Sequence, residues 1–358
     1  IIEDKQLIPP HQFVFRENHC TIEQVHRITD VIEKTLEEKT ACPTIFLDVA
    51  QAFDKVWHEG LFHKLDLMLP HQHSQLLRSY LTDRYFRIKQ EDAYSELMEI
   101  KAGVPQGSVL GPVLYLLFTS DIPNLEPNTI ATFADDTAIL AVGKDHEEAA
   151  RKLQESVHEI SRWTKKWRIK LNENKSVHVN FTNKHDHYLP IKINESQIPY
   201  ANSAKYLGMT LDAKLRWKVH VKKKRDELTI KYRNMYWLLG RNSRLSIQNK
   251  LLIYKQILKP VWTYGIQLWG CTARTNMEII QRFQNTVLRN IVNAPWYCRN
   301  SDIHRDLGIE LVEETISKFA ASHQHRLQQH KNVEAAKLLE TSNLTRRLKR
   351  IKPSDLVK

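Results

Sequence analysis

The sequence predicts an α+β fold in which strands and helices alternate up to Leu211 and a basic, almost wholly helical region follows. Three observations support this class. A buried strand pattern over residues 44–47 ends on Asp48. Two apolar runs, one reaching Ala134 and one leaving through Ile139, are joined by adjacent acidic residues, which is typical of a β-hairpin. From Asp212 onwards, basic charge and helical periodicity increase together.

Composition limits the class of protein and suggests its partner. The 358 residues are enough for two or three domains with complete cores. A hydrophobic content of 42% and an aromatic content of 9% exclude a disordered chain. The 53 Lys and Arg residues outnumber the 41 Asp and Glu residues, and the net charge of +12 favours a polyanionic partner, most often nucleic acid.

Cysteines and hydropathy predict the cellular setting. Cys20, Cys42, Cys271 and Cys298 include no Cys-x-x-Cys pair, so we expect reduced thiols and no zinc knuckle. No apolar run reaches the roughly 18 residues of a membrane span, and no signal peptide is visible. We therefore expect an intracellular protein of the cytoplasm and nucleus with no membrane partner. The sequence begins at Ile1 without methionine, which predicts a fragment.

The first predicted helix begins at a capping box, Thr21-Ile-Glu-Gln24, and carries an apolar face from Ile22 to Leu36. Arg16 precedes it, where a guanidinium could hold phosphates or simply face solvent. After the strand 44–47, a second helix is predicted to carry Phe53 and Trp57. Asp48, between that strand and that helix, is either a ligand-binding carboxylate at the edge of the sheet or a helix cap.

A loop rich in glycine and proline follows at residues 102–112 and leads into an apolar helix over 113–118. Such a loop allows a flat ligand to approach the backbone, and Gln106 is its one polar side chain able to contact a nucleotide. An ordinary turn would account for the glycines of this loop but gives no reason for a glutamine at position 106.

The predicted hairpin places Asp135 and Asp136 at its tip, where two adjacent like charges repel each other unless a cation lies between them. Together with Asp48 they form three carboxylates on two neighbouring strands. This set is the minimum for two Mg²⁺ ions about 3.5–4 Å apart, with Mn²⁺ as a substitute. One ion would activate an attacking 3′-hydroxyl, and the other would bind a triphosphate leaving group.

Further elements follow in order. Asp145 begins a helix, residues 172–176 form a turn before an alternating strand, and a short strand over 206–211 contains Gly208. From Lys214 to Lys231 basic residues are interleaved with apolar ones, and further helices are predicted over 246–259, 277–291 and 312–329. This basic region either binds the phosphate backbone or forms solvated helix faces.

Three segments carry a resemblance to a known family. These are Phe46-Leu-Asp-Val-Ala-Gln-Ala-Phe-Asp-Lys-Val-Trp57, Gly103-Val-Pro-Gln-Gly-Ser108 and Phe133-Ala-Asp-Asp-Thr137. In these segments, and in this order, the chain resembles the reverse transcriptases of non-LTR retrotransposons, most of all the jockey-type elements of insects. The resemblance covers nearly the whole chain and is weaker in the helical tail, where Gln281-Arg-Phe-Gln-Asn285 and Ala294-Pro-Trp-Tyr297 take part.

The resemblance implies a right-hand polymerase with partial fingers and a palm over 1–211, a basic helical thumb over 212–292, and a helical extension over 293–358. It implies an RNA-directed DNA polymerase with an RNA template, a DNA primer or target, and deoxynucleoside triphosphates. The implied metal ligands are Asp48, Asp135 and Asp136, with Lys175 as a general acid for pyrophosphate. The implied nucleotide-binding residues are Arg16, Phe53 and Gln106. The residues implied to hold the primer end are Tyr206, Leu207 and Gly208. The residues implied to bind the nucleic-acid backbone are Lys222, Lys223, Lys224 and Arg225.

The sequence departs from this family in several places. Val14 stands where glycine is usual, and Cys20 where serine is usual. Upstream finger strands and an endonuclease domain are not present in the sequence. Two alternatives to a reverse transcriptase stay open at this point: an RNA-directed RNA polymerase or intron maturase with a similar palm, and a decayed, non-catalytic remnant that binds RNA.

Overall fold

The computed structural model of the chain describes residues 2, 4–184, 189–339 and 346–357. It divides into two compact units. Unit 1 comprises Ile1–Gln24 and Thr40–Ala201, and unit 2 comprises Val25–Lys39 and Asn202–Lys358. The predicted domain bounds at 211/212 and 292/293 stay predictions.

Helix α1 (Thr21–Glu38) begins in unit 1 and continues in unit 2. Its predicted apolar face is buried from Ile22 to Leu36. The capping box lies one residue earlier than predicted, because the N–H of Cys20 donates to the Glu23 carboxylate at 2.8 Å. The side chain of Gln24 instead donates to the carbonyls of His11 and Thr132.

The further elements of unit 1 are, in chain order, β1 (Cys42–Leu47), α2 (His58–Met68), α3 (His71–Leu81), β2 (Tyr85–Phe86), β3 (Lys89–Gln90), β4 (Ala93–Tyr94), β5 (Met98–Glu99), α4 (Leu110–Thr119), β6 (Thr129–Phe133), β7 (Asp136–Leu140), α5 (His146–Lys166), β8 (Val177–Phe181), β9 (Lys192–Ile193) and β10 (Ser196–Gln197). The central sheet has the strand order β6-β7-β1-β8, and every neighbouring pair is antiparallel.

Two apolar clusters support this sheet. One joins the sheet to α5, through Leu153, Val157 and Ile160 on the predicted helix face. That helix begins as predicted, since the Asp145 carboxylate caps it by accepting the N–H of Glu148 at 2.8 Å. The other cluster joins α2 to α4 and includes Leu61 and Leu114. Burial on this scale fixes the sheet as a rigid support for the residues at its edge.

The prediction of a helix directly after Asp48 is wrong for the first part of that helix. The segment 50–55 forms turns, Gln51 has a φ of 53°, and α2 begins only at His58. Phe53 and Trp57 therefore precede the helix. The reason is a long-range contact, because the N–H groups of Gly103 and Val104 donate to the carbonyls of Val56 and Phe53 at 2.8 Å.

The further elements of unit 2 are β11 (Ser203–Tyr206), β12 (Met209–Asp212), α6 (Lys218–Asn234), α7 (Tyr236–Leu239), α8 (Ile247–Ile253), a π-helical turn (Tyr254–Leu258), α9 (Lys259–Thr263), α10 (Ile266–Trp269), α11 (Arg274–Ile291), α12 (Asn300–Leu307), α13 (Val312–Gln328), α14 (Val333–Ala336) and two 3₁₀ turns (Lys337–Leu339 and Pro353–Leu356). The core of this unit includes Trp217, Tyr254, Trp262 and Trp269.

The strand predicted over 206–211 is instead a hairpin. Tyr206 pairs with Met209, and Leu207 and Gly208 form a two-residue turn with φ values of 43° and 77°. Two successive positive φ values match the right-handed twist of a tight hairpin. The three heavy atoms nearest to where a Cβ of Gly208 would stand belong to the side chain of Tyr264, the closest at 3.0 Å.

Candidate active site and nucleic-acid-binding residues

The sheet of unit 1 brings Asp48 beside the acidic hairpin. Leu47 pairs with Thr137 across β1 and β7, so continuing the antiparallel register by one residue sets Asp48 opposite Asp136. Phe133 pairs with Asp136 across β6 and β7, which leaves Ala134 and Asp135 as the turn. The predicted hairpin with its carboxylates at the tip is therefore present.

Two glutamines hold this hairpin, Gln12, which the sequence analysis did not single out, and Gln24, which it assigned to a capping box. The buried side chain of Gln12, 4% exposed, accepts the N–H of Ala134 at 3.3 Å and that of Val14 at 3.4 Å. Ala134 has a φ of 56°, a strained value for an alanine that only surrounding contacts can maintain. The side chain of Gln24 donates to the carbonyl of Thr132 at 2.7 Å. The bonds to Ala134 and Thr132 join residues more than 100 positions apart, so no local signal predicts them.

Asp48 is fixed from its other side by the turn at 172–176. Its N–H donates to the Ser176 hydroxyl at 3.1 Å, and its carbonyl accepts the N–H of Asn172 at 2.8 Å. Lys175 lies in this turn with its side chain exposed. The structure thus brings Lys175 and Asp48 together through the backbone of one turn.

Phe53 lies in the turn segment after Asp48, half-buried between two rings. It stacks on Tyr115 with the ring centroids 4.7 Å apart and meets Phe15 edge-on at 6.5 Å. Burial, and then the charge of Asp135, raises the pKa of the Tyr115 hydroxyl. Tyr115 therefore stays neutral close to the acidic hairpin and supports Phe53.

The glycine-rich loop packs against the same segment. Gly103 has a φ of 92°, and a Cβ there would lie 2.8 Å from the carbonyl oxygen of Asp54, so this position requires glycine. Gln106 is exposed, and its amide donates to the Asp54 carboxylate at 2.7 Å. The loop thus carries Gln106 next to the segment that contains Phe53.

Arg16 lies in the loop before α1, where its guanidinium donates to the carbonyls of Pro9 and Gln12 at 3.4 Å each. Val14, which replaces the usual glycine, does not have a positive φ, whereas Phe15 has one of 54°. The loop therefore places its left-handed residue one position after Val14.

The side chains in the described part of the chain contain no group of three acidic, histidine or cysteine residues close enough to hold a metal ion as they stand. The donor chemistry nevertheless fits a hard divalent cation, because all three candidates are carboxylates. Their backbone positions also fit, since the register sets Asp48 opposite Asp136 and Asp135 is the adjacent residue.

The residues matched to the primer end lie in unit 2. Tyr206 is buried, and the carbonyl of Leu207 accepts the Tyr264 hydroxyl at 2.7 Å. Gly208 completes the turn. Within unit 2, this turn is held by a specific bond and by the close approach of an aromatic ring.

Only two of the four basic residues proposed for backbone binding project into solvent. Lys222 and Lys223 are exposed on α6. Lys224 pairs with Glu227 at 3.3 Å. The guanidinium of Arg225 lies over the ring of Phe283 at 4.8 Å, and burial lowers its pKa. We therefore assign Lys224 and Arg225 at least partly to packing within unit 2.

Two findings complete the description. All four cysteines are described, and none forms a disulfide. In the described ranges, no helix combines the length and the apolar character that crossing a bilayer requires.

Comparison with curated proteins shows extensive similarity to polymerases of insect mobile elements. The chain is 41% identical over its whole length to a protein named probable RNA-directed DNA polymerase from transposon X-element of Drosophila melanogaster. It is 39% identical over 98% of its length to the corresponding protein of transposon BS, also of Drosophila melanogaster. It is 38% identical over 99% of its length to the RNA-directed DNA polymerase from mobile element jockey of Drosophila funebris. The chain spans 40% of the length of each of these relatives.

A solved structure, telomerase from Candida albicans in complex with a TWJ fragment of telomeric RNA, aligns with a TM-score of 0.44 and 12% identity, over 92% of this chain and 52% of that one. This weak alignment carries no further conclusion. Residues 1–211 match the family model described as reverse transcriptase (RNA-dependent DNA polymerase). The predicted fold class, an α+β right-hand polymerase, and the predicted resemblance are confirmed. The chain belongs to the reverse transcriptase family.

Proposed function

We propose that this chain is the reverse transcriptase part of a mobile-element polymerase, adding deoxynucleotides to a primer 3′-hydroxyl on an RNA template. One observation carries the proposal: the sheet register sets Asp48 opposite Asp136 at the tip of an acidic hairpin, in a chain of this family. The relatives named as RNA-directed DNA polymerases of transposons support the reaction and the type of element.

Asp48, Asp135 and Asp136 would hold two Mg²⁺ ions, which would supply activation of the primer hydroxyl and neutralisation of the pyrophosphate that leaves when the 3′-oxygen bonds to the α-phosphate. The chain's own part is to fix the three carboxylates. Gln12 holds the hairpin turn, and the turn at 172–176 holds the backbone of Asp48. This preorganisation means that the carboxylates need only side-chain rotation to converge.

The remaining residues are proposed to bind the nucleotide. Phe53 would lie under the incoming sugar, because Tyr115 holds its ring from one side. Gln106 would leave the Asp54 carboxylate to pack beside the base. Arg16 would leave the carbonyls of Pro9 and Gln12 to contact the triphosphate. Lys175, exposed in the turn beside Asp48, would protonate the departing pyrophosphate.

In unit 2, the hairpin turn 206–208 is proposed to hold the primer end, and the exposed lysines of α6 to bind the phosphate backbone of the RNA–DNA duplex. The net charge of +12 supports a polyanionic partner.

The experiment is primer extension on an RNA template with deoxynucleotides and Mg²⁺ or Mn²⁺. We expect Asp48→Asn, Asp135→Asn and Asp136→Asn each to remove nearly all synthesis while leaving the fold and RNA affinity largely intact. A matched control comes from the second acidic hairpin of unit 1, where Glu91 and Asp92 join β3 to β4. Asp92→Asn should leave the rate unchanged. RNA binding without synthesis by the wild-type chain would instead identify a non-catalytic RNA-binding protein.

A further inference from the structure

The loop between α11 and α12 presents two aromatic rings to solvent. Trp296 is 90% exposed and Tyr297 is 71% exposed. Their ring centroids lie 5.9 Å apart with the planes at 80°, so each ring supports the other edge-to-face. Exposing two large apolar rings side by side disfavours solubility, and such patches usually mark a binding site.

Specific hydrogen bonds fix the conformation of this loop. The Arg289 guanidinium donates to the carbonyl of Cys298 at 2.8 Å, to that of Pro295 at 2.5 Å and to the side chain of Asn300 at 3.0 Å. The N–H of Cys298 also donates to the carbonyl of Pro295 at 3.2 Å. Arg289 thus closes the loop from both ends and fixes the backbone under the two rings. A preorganised loop loses little conformational entropy on binding, which favours a recognition role.

The segment that carries the two rings is basic. Between Glu278 and Asp302 it contains Arg282, Arg289 and Arg299 and no acidic residue. Its partner is therefore expected to combine negative charge with flat apolar faces. Unpaired nucleic acid has both, because its phosphates are anionic and its bases expose π-faces that stack on aromatic side chains. In a duplex those faces are covered by neighbouring base pairs.

We propose that Trp296 and Tyr297 form a stacking platform for unpaired bases of single-stranded nucleic acid, with Arg289 as its positioning residue. The proposal rests on the proposed function only in taking nucleic acid as the partner of the chain. Loss of polymerase activity would leave it standing, because base stacking needs neither metal nor nucleotide.

The test measures binding of labelled dT₁₂ and rU₁₂ to the full chain without metal or nucleotide. Trp296→Ala should weaken both by about tenfold, which corresponds to ~1.4 kcal/mol. Trp296→Phe, which keeps a flat ring, should stay within about threefold of wild type, whereas Trp296→Leu should resemble the alanine variant. Val333→Ala, at another exposed apolar position of unit 2, is the control and should change nothing.

Two further readouts distinguish stacking from other roles. The slope of log K against log salt should not change, because the rings carry no charge. Binding of a blunt-ended duplex should not change either. Unchanged oligonucleotide affinity in folded Trp296→Ala would overturn the proposal. Full affinity in Trp296→Leu would also overturn it, because leucine has no flat ring on which a base could stack.

Discussion

Replacing Phe53 by valine separates two contributions of this side chain. The ring stacks on Tyr115 at 4.7 Å and meets Phe15 edge-on at 6.5 Å, so truncation removes two aromatic contacts of about 0.5–1.5 kcal/mol each. Because the side chain is only half-buried, we expect a total loss of about 1–3 kcal/mol in the free energy of unfolding. Packing alone, however, predicts no change in the choice of sugar.

The proposed position under the incoming sugar predicts a second effect. A ribonucleotide differs by one small hydroxyl group, which water or a neighbouring group can easily satisfy, so rejection by hydrogen bonding is weak. A rigid ring without polar atoms rejects it sterically. Phe53→Val should therefore raise ribonucleotide incorporation by one to two orders of magnitude, or roughly 1.4–2.8 kcal/mol of lost discrimination.

The assay is single-nucleotide insertion with matched ribo- and deoxynucleotides, comparing the two kcat/KM values. Phe53→Tyr is the control, because it keeps the ring and should keep the ratio close to that of wild type. An unchanged ratio in a folded Phe53→Val protein would refute the assignment and leave Phe53 as a packing residue alone.

Three further predictions concern positioning, binding and pH. Gln12→Leu should lower the free energy of unfolding by about 1–3 kcal/mol, because the N–H of Ala134 loses its acceptor. It should also slow nucleotide insertion about tenfold with RNA affinity unchanged, and a normal insertion rate would contradict this role. Replacing Lys222 and Lys223 together by alanine should flatten the slope of log K against log salt for an RNA–DNA duplex by about 1.4–1.8, and an unchanged slope would mean that both merely face solvent. Burial raises the pKa of Glu33 to about 8, so its carboxyl binds a proton in the folded state that the unfolded state has lost. The free energy of unfolding should therefore fall as pH rises from about 4.5 to 8. Urea unfolding of Glu33→Gln should lack this part of the pH dependence, and the same pH dependence in both proteins would contradict the prediction.

Local sequence patterns predicted the elements that carry the carboxylates. The strand before Asp48 and the hairpin bearing Asp135 each have a strong apolar pattern with a polar end. The cap at Asp145 and the strand β8 were equally local predictions, and the structure confirms both elements. The alternation of β8 does not extend to its burial, because His178 and Asn180 are buried as well as Val179 and Phe181. Antiparallel neighbours in one sheet then bring Asp48 to the hairpin, as expected for three carboxylates on two neighbouring strands.

What the sequence missed depends on contacts between distant residues. Phe53 was assigned to a helix because apolar spacing suggested one, but the loop at Gly103 binds that segment and imposes turns. Gln12 was overlooked because its partner, Ala134, is distant in sequence. Helix α6 carries a basic run, yet only the packing of Arg225 against Phe283 shows which of its charges face inward.

In the proposed function, Asp48, Asp135 and Asp136 act together as ligands of divalent ions. This can be tested by the Mg²⁺ dependence of the single-turnover insertion rate of a deoxynucleotide on an RNA template, in wild-type protein and in Asp136→Asn. We expect a wild-type rate that rises more steeply than first order at low Mg²⁺, and a loss of about 10³-fold or more in the variant at equal RNA affinity. A near wild-type rate in Asp136→Asn would contradict it.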